Sequence, residues 1–103
     1  VAAQVIRRAS PPDAILAFND LMAFGVLSAC RHAGLDVPHD IRVAGVDGLS
    51  IGTLVAPTLT TLAVDFDEVA RHTLELAVAL ADGDAGVDAH RVVNHRLVLR
   101  ESA

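Results

Sequence analysis

Two polar positions stand where an α/β chain commonly binds small molecules. Asn19 ends a short apolar run, Ala14–Phe18, and a helical pattern follows it at once. Asp47 ends a second apolar run, Ile41–Val46, and precedes Gly48. In an open parallel sheet, ligands settle outside the carboxyl ends of the strands. An amide offers a hydroxyl both a donor and an acceptor. A carboxylate can accept two hydrogen bonds from a vicinal diol, and bonds to an ionised acceptor are the stronger kind. Each residue also has a plainer use, because Asn favours helix N-caps and Asp-Gly favours turns. On capping preference alone, the cap is the favoured reading of Asn19.

Other reactive groups form no such constellation. His32, His39, His72, His90 and His95 lack metal-ligand spacing. Ser28 and Ser50 sit in no Gly-x-Ser-x-Gly context and have no evident base. Cys30 is the single cysteine, so an internal disulfide is impossible. Within a helical apolar pattern it reads as a small buried hydrophobe. Neither a phosphate loop nor a dinucleotide fingerprint is present. The expectation is a binding domain and not an enzyme, with no catalytic residue, metal or cofactor.

Composition narrows the class further. The 103 residues suit one small domain, and 52% of them are hydrophobic. Trp and Tyr are absent, so the core must come from Val, Leu, Ile and Ala. A formal net charge of -5 argues against this segment gripping nucleic acid or an anionic membrane, which needs a basic face. No run approaches the ~18 apolar residues of a membrane span. The chain opens on Val1-Ala2-Ala3 with no leader pattern and no Met, which gives the expectation of a piece cut from a longer protein.

The elements that would position Asn19 and Asp47 follow from period and punctuation. Val1–Ala9 fits the last turns of a helix, stopped by Pro11-Pro12. Ala14–Phe18 reads as a strand covered on both faces. Asp20–Ala33 reads as a helix, with Asn19 or Asp20 as its cap and Gly34 beyond its end. Gly25, in its middle, marks an expected close approach of another backbone. Ile41–Val46 is a second buried strand, and Leu49–Val55 a loop with one helical turn. Leu59–Val64 is a third strand. Asp65 with Glu68 forms a capping box for a helix over Phe66–Ala81. Its apolar stripe runs through Phe66, Val69, Ala70, Thr73, Leu76, Ala77 and Leu80. Asp82–Gly86 carries turn chemistry, and Arg91–Leu99 reads as an edge strand with one wetter face. This order argues an α/β fold in three layers, a mostly parallel sheet with flanking helices.

Five segments, in order, carry a family resemblance. They are Ala14-Ile15 through Asn19-Asp20-Leu21-Met22-Ala23 with Gly25; Ala33-Gly34-Leu35 with Val37-Pro38-His39-Asp40-Ile41; Val43-Ala44-Gly45-Val46-Asp47; Pro57-Thr58-Leu59-Thr60-Thr61; and Arg96-Leu97-Val98-Leu99-Arg100-Glu101-Ser102. Together they resemble the carboxy-terminal part of the ligand-binding region of LacI/GalR-type transcriptional regulators. The resemblance implies a partial periplasmic-binding-protein-like (class I) effector domain. Residues 1–64 and 91–103 would belong to one lobe, and residues 65–83 to a helix that crosses to the other. It further implies a cytoplasmic homodimer that senses a small-molecule effector, often a sugar. Operator DNA would be reached only through an amino-terminal helix-turn-helix that this chain lacks, and no membrane partner is implied. A sugar-binding protein of a transport system is the alternative with the same fold, and upstream sequence would separate the two.

The resemblance also assigns residues. Asn19 and Asp47 would contact the effector. Phe66, which otherwise reads as core, would lie beside it. Val64 stands where some members carry a polar contact, which leaves the ligand class open. Phe24 and Ser28 share a helix face four residues apart, and with the loop near Val55 they would form the dimer contact. Burial within the lobe is the alternative for Phe24. Asp20 and Asp65 would cap helices without touching ligand. With one wall of the cleft present, the segment by itself is expected to bind effector weakly and to self-associate.

Overall fold

The computed structural model describes residues 1–83, 86 and 88–103. Asp84 and Ala85, within the turn expected over Asp82–Gly86, lie outside the described residues. The chain forms two compact units, one of Val1–Ala63 with Arg96–Ala103 and one of Val64–His95.

In the first unit, α1 spans Ala2–Ile6, β1 Ala14–Leu16, α2 Asp20–Ala33, β2 Arg42–Asp47 and β3 Thr60–Ala63. The second unit holds α3, Phe66–Ala81, and the chain then returns to the first as β4, Arg96–Val98. The sheet order is β1-β2-β3-β4. The first three strands are parallel and β4 runs antiparallel on the edge.

Helix α2 has the bounds its punctuation implies. Asn19, in extended conformation, accepts the Met22 N–H on its Oδ1 at 2.8 Å. Gly34 ends the helix at φ 73°, and the Leu35 N–H returns to the Cys30 carbonyl at 3.0 Å. Elsewhere the elements are shorter than the apolar runs suggest. α1 stops at Ile6 and β1 at Leu16, although the Ala17 N–H still reaches the Ala44 carbonyl at 2.8 Å. Ser50–Thr53 is a single 3-10 turn. Only Arg96–Val98 of the expected last strand pairs, against Thr61–Ala63.

The core gathers Ile6, Ala17, Val43, Ile41 and Leu59 against Ala23, Val26, Leu27 and Cys30 of α2. Strand alternation explains the choice of face. Ile15 lies opposite Val43, and both side chains serve the α2 side. Leu16 points the other way and is 73% exposed. The Ala14–Phe18 run is therefore covered on one face and not on two. β4 is an edge strand with one wetter face, as its alternation implies: Leu97 and Leu99 are exposed while Val98 is half-buried.

Gly25 is another correction. A Cβ there would meet nothing within 4 Å, so no other backbone among the described residues approaches it. The close approach occurs at Gly45, where a Cβ would strike Asp20 Oδ1 and come within 3.2 Å of the Ala23 Cβ.

The tail closes the amino end of the β2–β3 pair. Ser102 is fully buried. Its hydroxyl accepts the Thr60 N–H at 2.8 Å and donates to the Val43 carbonyl at 2.6 Å, bridging both strands. Beside it, Glu101 accepts the Thr58 N–H at 2.9 Å, and this bond holds its carboxyl below the usual glutamate range.

In the second unit, Asp65 caps α3 by accepting the Glu68 N–H at 2.9 Å. No residue of α3 is buried, its apolar stripe included. Arg71 pairs with Glu75 at 3.2 Å, which lowers the Glu75 carboxyl below its ordinary value. His72 stands between Glu68 and Glu75 at 3.5 and 3.4 Å.

Two predictions come from this packing. Gly25→Ala should raise stability by up to about 1 kcal/mol, the helix-propensity difference, whereas Gly45→Ala should lower it; thermal melts of the two variants check the contrast. A depressed carboxyl contributes stability above its unfolded value, about 4.3 for Glu, and that contribution fades as pH falls through the folded value. Wild type and Glu101→Gln should therefore differ in denaturation midpoint at pH 6 and converge at pH 3.

Candidate functional site

The first two strands end at one edge of the sheet because they run parallel. Beyond β1 stands Asn19, and at the end of β2 stands Asp47, both half-buried. Asn19 is the N-cap of α2. Its Oδ1 holds the first turn of α2, while no hydrogen bond among the described residues engages its Nδ2. The amide therefore presents its donor side. Asp47 is the one residue other than glycine among those described with positive φ, at 120°. Such a conformation costs of order 1–3 kcal/mol and persists only where neighbours impose it. No hydrogen bond or ion pair among the described residues engages its carboxylate.

The neighbour that imposes it is Asp20. Sequence alone reads this residue as a cap, but Asn19 is the cap and Asp20 begins the helix. Its carboxylate is fully buried. Oδ1 accepts the Thr61 hydroxyl at 2.6 Å, and Oδ2 accepts the Leu49 N–H at 2.7 Å. Thr61 in turn accepts the Gly48 N–H at 3.2 Å. The turn after Asp47 is thus tied to the helix on one side and to β3 on the other. Gly48, at φ 79°, fits because a Cβ there would lie 2.6 Å from the Ala63 Cβ. The positive end of the α2 dipole favours the buried charge. Hydrogen bonds of this type, to an ionised acceptor, are about twice as strong as neutral ones. Asp20 is the positioning residue that the sequence reading passed over. Its available signals were Gly45 and Thr61, one too small to obstruct a carboxylate and one able to donate to it.

The remaining candidates lie elsewhere. Phe66 opens α3 in the other unit and is 55% exposed, so it is not core. Phe24, Ser28 and Val55 line one groove of about 420 Å³ with Arg31, His32 and Leu54. Phe24 is half-buried and also packs on the core, so burial and the groove share it. Among the described residues no group of His, Cys, Asp or Glu is arranged to hold a metal ion. Cys30 is fully buried, and burial pushes its thiol pKa up, the condition of an inert thiol. No described helix is long and apolar enough to cross a membrane.

This edge can donate from an amide and accept at a carboxylate, which suits capture of a hydroxylated molecule. Residues 1–103 match the family described as "Periplasmic binding protein-like domain". The chain is 32% identical over 99 residues to the HTH-type transcriptional regulator MalR of Clostridium butyricum, covering 96% of this chain and 29% of that protein. A LacI family regulator from Arthrobacter sp. FB24, solved in complex with lactose, is 48% identical over 98% of this chain and 38% of its own, with a TM-score of 0.84. A LacI-type regulator from Bacillus cereus shares the fold at a TM-score of 0.91 and 24% identity, over 97% of this chain and 36% of its own. The chain thus spans less than two-fifths of these relatives, which are named as regulators of transcription.

Removing the buried tie should loosen the edge. Asp20→Ala leaves the Leu49 N–H and the Thr61 hydroxyl without their acceptor and should cost about 3 kcal/mol or more, since each unsatisfied buried group costs about 1–3 kcal/mol. Thr61→Ser, which keeps the hydroxyl between Asp20 and the Gly48 N–H, should cost less. Denaturant midpoints of the two variants check the order.

Proposed function

The chain belongs to the periplasmic binding protein-like family in the form carried by LacI/GalR-type regulators, and from this we propose that it is an effector-sensing and dimerising part of a DNA-binding transcriptional regulator. The observation that carries the reading is the pair at the sheet edge. Asp47 is held in a strained conformation, with no partner for its carboxylate among the described residues, one strand away from the amide of Asn19. The effector is a sugar or a similar small polyol, in keeping with the lactose found in the Arthrobacter regulator. Asp47 accepts from two neighbouring hydroxyls and Asn19 donates to a third oxygen.

Regulation requires the effector to bind two conformations unequally, since equal affinity shifts nothing. Closure on the sugar would alter how a homodimer presents its DNA-binding heads, and this segment would touch no operator itself. Phe24, Ser28 and Val55 form the dimer contact, supported by their shared groove. Binding proteins of transport systems share this fold. The helix-turn-helix relatives favour the regulator.

Calorimetry on the longest natural polypeptide carrying this sequence tests the site. Saturable sugar binding is expected, and Asn19→Ala and Asp47→Asn should each weaken it about tenfold or more, the worth of a hydrogen bond to a charged group. Affinity unchanged in both variants would refute the assignment. Phe24→Asp should move the sedimentation profile from dimer towards monomer without changing sugar affinity.

A further inference from the structure

The second strand hands over to a peptide bond with chemistry of its own. An aspartate side chain can turn back on the nitrogen of the next residue, and glycine in that place obstructs it least because it has no Cβ. The sequence has two such pairs, Asp47-Gly48 and Asp82-Gly83. The fold forces the first. Gly48 stands at φ 79°, and a Cβ there would lie 2.6 Å from the Ala63 Cβ, so no bulkier residue can shield the nitrogen. Asp47 has its positive φ of 120°, and no hydrogen bond or ion pair among the described residues restrains its carboxylate.

The restraint lies on the nitrogen instead. The Gly48 N–H donates to the Thr61 hydroxyl oxygen at 3.2 Å, and Thr61, fully buried, donates on to Asp20 at 2.6 Å. A nitrogen whose proton is held in this way must break that bond before it can attack. Breaking it opens a contact across 13 positions that rests on another across 41. Asp82-Gly83 lies in the other unit and is exposed. Its Gly83 N–H reaches the Leu80 carbonyl at 3.2 Å at the end of α3, and helix ends fray.

We propose that Asp47-Gly48 is a latent self-modification site, able to close to a succinimide and reopen as isoaspartate, and that Thr61 guards it by holding the Gly48 nitrogen. The reaction needs no partner but water. The Gly48 nitrogen bonds to Cγ of the protonated Asp47 carboxyl. The proton of that nitrogen and the hydroxyl of the carboxyl leave together as water. Water then adds to one of the two ring carbonyls. Cleavage of the new N–Cγ bond restores aspartate. Cleavage between the nitrogen and the Asp47 main-chain carbonyl carbon leaves isoaspartate, whose main chain runs through Cγ and is longer by a carbon. The free carboxylate then hangs directly from Cα, so the edge loses its acceptor where Asp47 had placed it. This covalent step stands apart from the sugar reading of the same carboxylate and does not depend on it.

The test ages the longest natural polypeptide carrying this sequence in mildly acidic buffer made with heavy-oxygen water, followed by digestion and mass-spectrometric peptide mapping. Each ring opening inserts a heavy oxygen whichever bond breaks, so both pairs are followed in one sample. Label should enter Asp47 of the native protein about tenfold or more slowly than in guanidinium chloride, where the guarding bonds are open. Thr61→Val should speed labelling of Asp47 roughly threefold to tenfold, the worth of one hydrogen bond, while Asp82 keeps its rate. Thr61→Ser retains the hydroxyl and should label as wild type does. If Thr61→Val does not fold, the native-to-denatured ratio and the serine variant decide. Equal labelling of Asp47 in native and denatured wild type would overturn the guard, as would an unchanged rate in folded Thr61→Val. A rise shared by Asp82, or a serine variant as fast as the valine one, would reduce Thr61 to general stabilisation and also overturn it. Asp47 left without label in denaturant would overturn the site itself.

Discussion

A single buried carboxylate organises this molecule. Asp20 takes the Thr61 hydroxyl on one oxygen and the Leu49 N–H on the other, at the first turn of α2 and against Gly45. An unpaired charge in that place would cost several kcal/mol. With both oxygens bonded, the same charge joins helix, turn and third strand. Asp47 holds its positive φ because the next two N–H groups are already committed, Gly48 to Thr61 and Leu49 to Asp20. The backbone at Asp47 is therefore set by hydrogen bonds within the segment itself.

The β2–β3 pair is locked by polar groups at both ends. Toward the carboxyl end the lock is Asp20 with Thr61. At the amino end it is Ser102, whose hydroxyl bridges Thr60 and Val43 while Arg100 and Glu101 bind Thr60 and Thr58. Core apolar groups fill only the side facing α2. Between the two locks the strands have little freedom to slide, and a rigid edge is what a site built from strand ends requires.

Much of this was legible in the sequence for physical reasons. The helical period and Gly34 fixed the bounds of α2, and two apolar runs broken by polar residues announced parallel strands. The five segments that resemble LacI/GalR-type regulators placed Asn19 and Asp47, and the family match agrees with that resemblance. Other features were hidden because they depend on residues distant in the chain. Asp20 and Asn19 are equally good caps on paper. Only the arrival of Thr61, 41 positions away, takes Asp20 into the interior. Gly25 and Gly45 look alike in sequence, yet only Gly45 lies under another element. Phe18 and Leu16 read as core because apolar runs usually are, whereas this unit covers one face of β1.

Asp20 holds the turn after Asp47 in place without help from a ligand. Hydrogen exchange of the Leu49 amide, followed by NMR in the absence of sugar, tests it most directly. If Asp20 accepts that N–H, the amide should exchange as slowly as those of β2 and β3, and should speed up in Asp20→Asn well beyond any change in the strands. Exchange of the wild-type Leu49 amide at the rate of an exposed loop would contradict the claim.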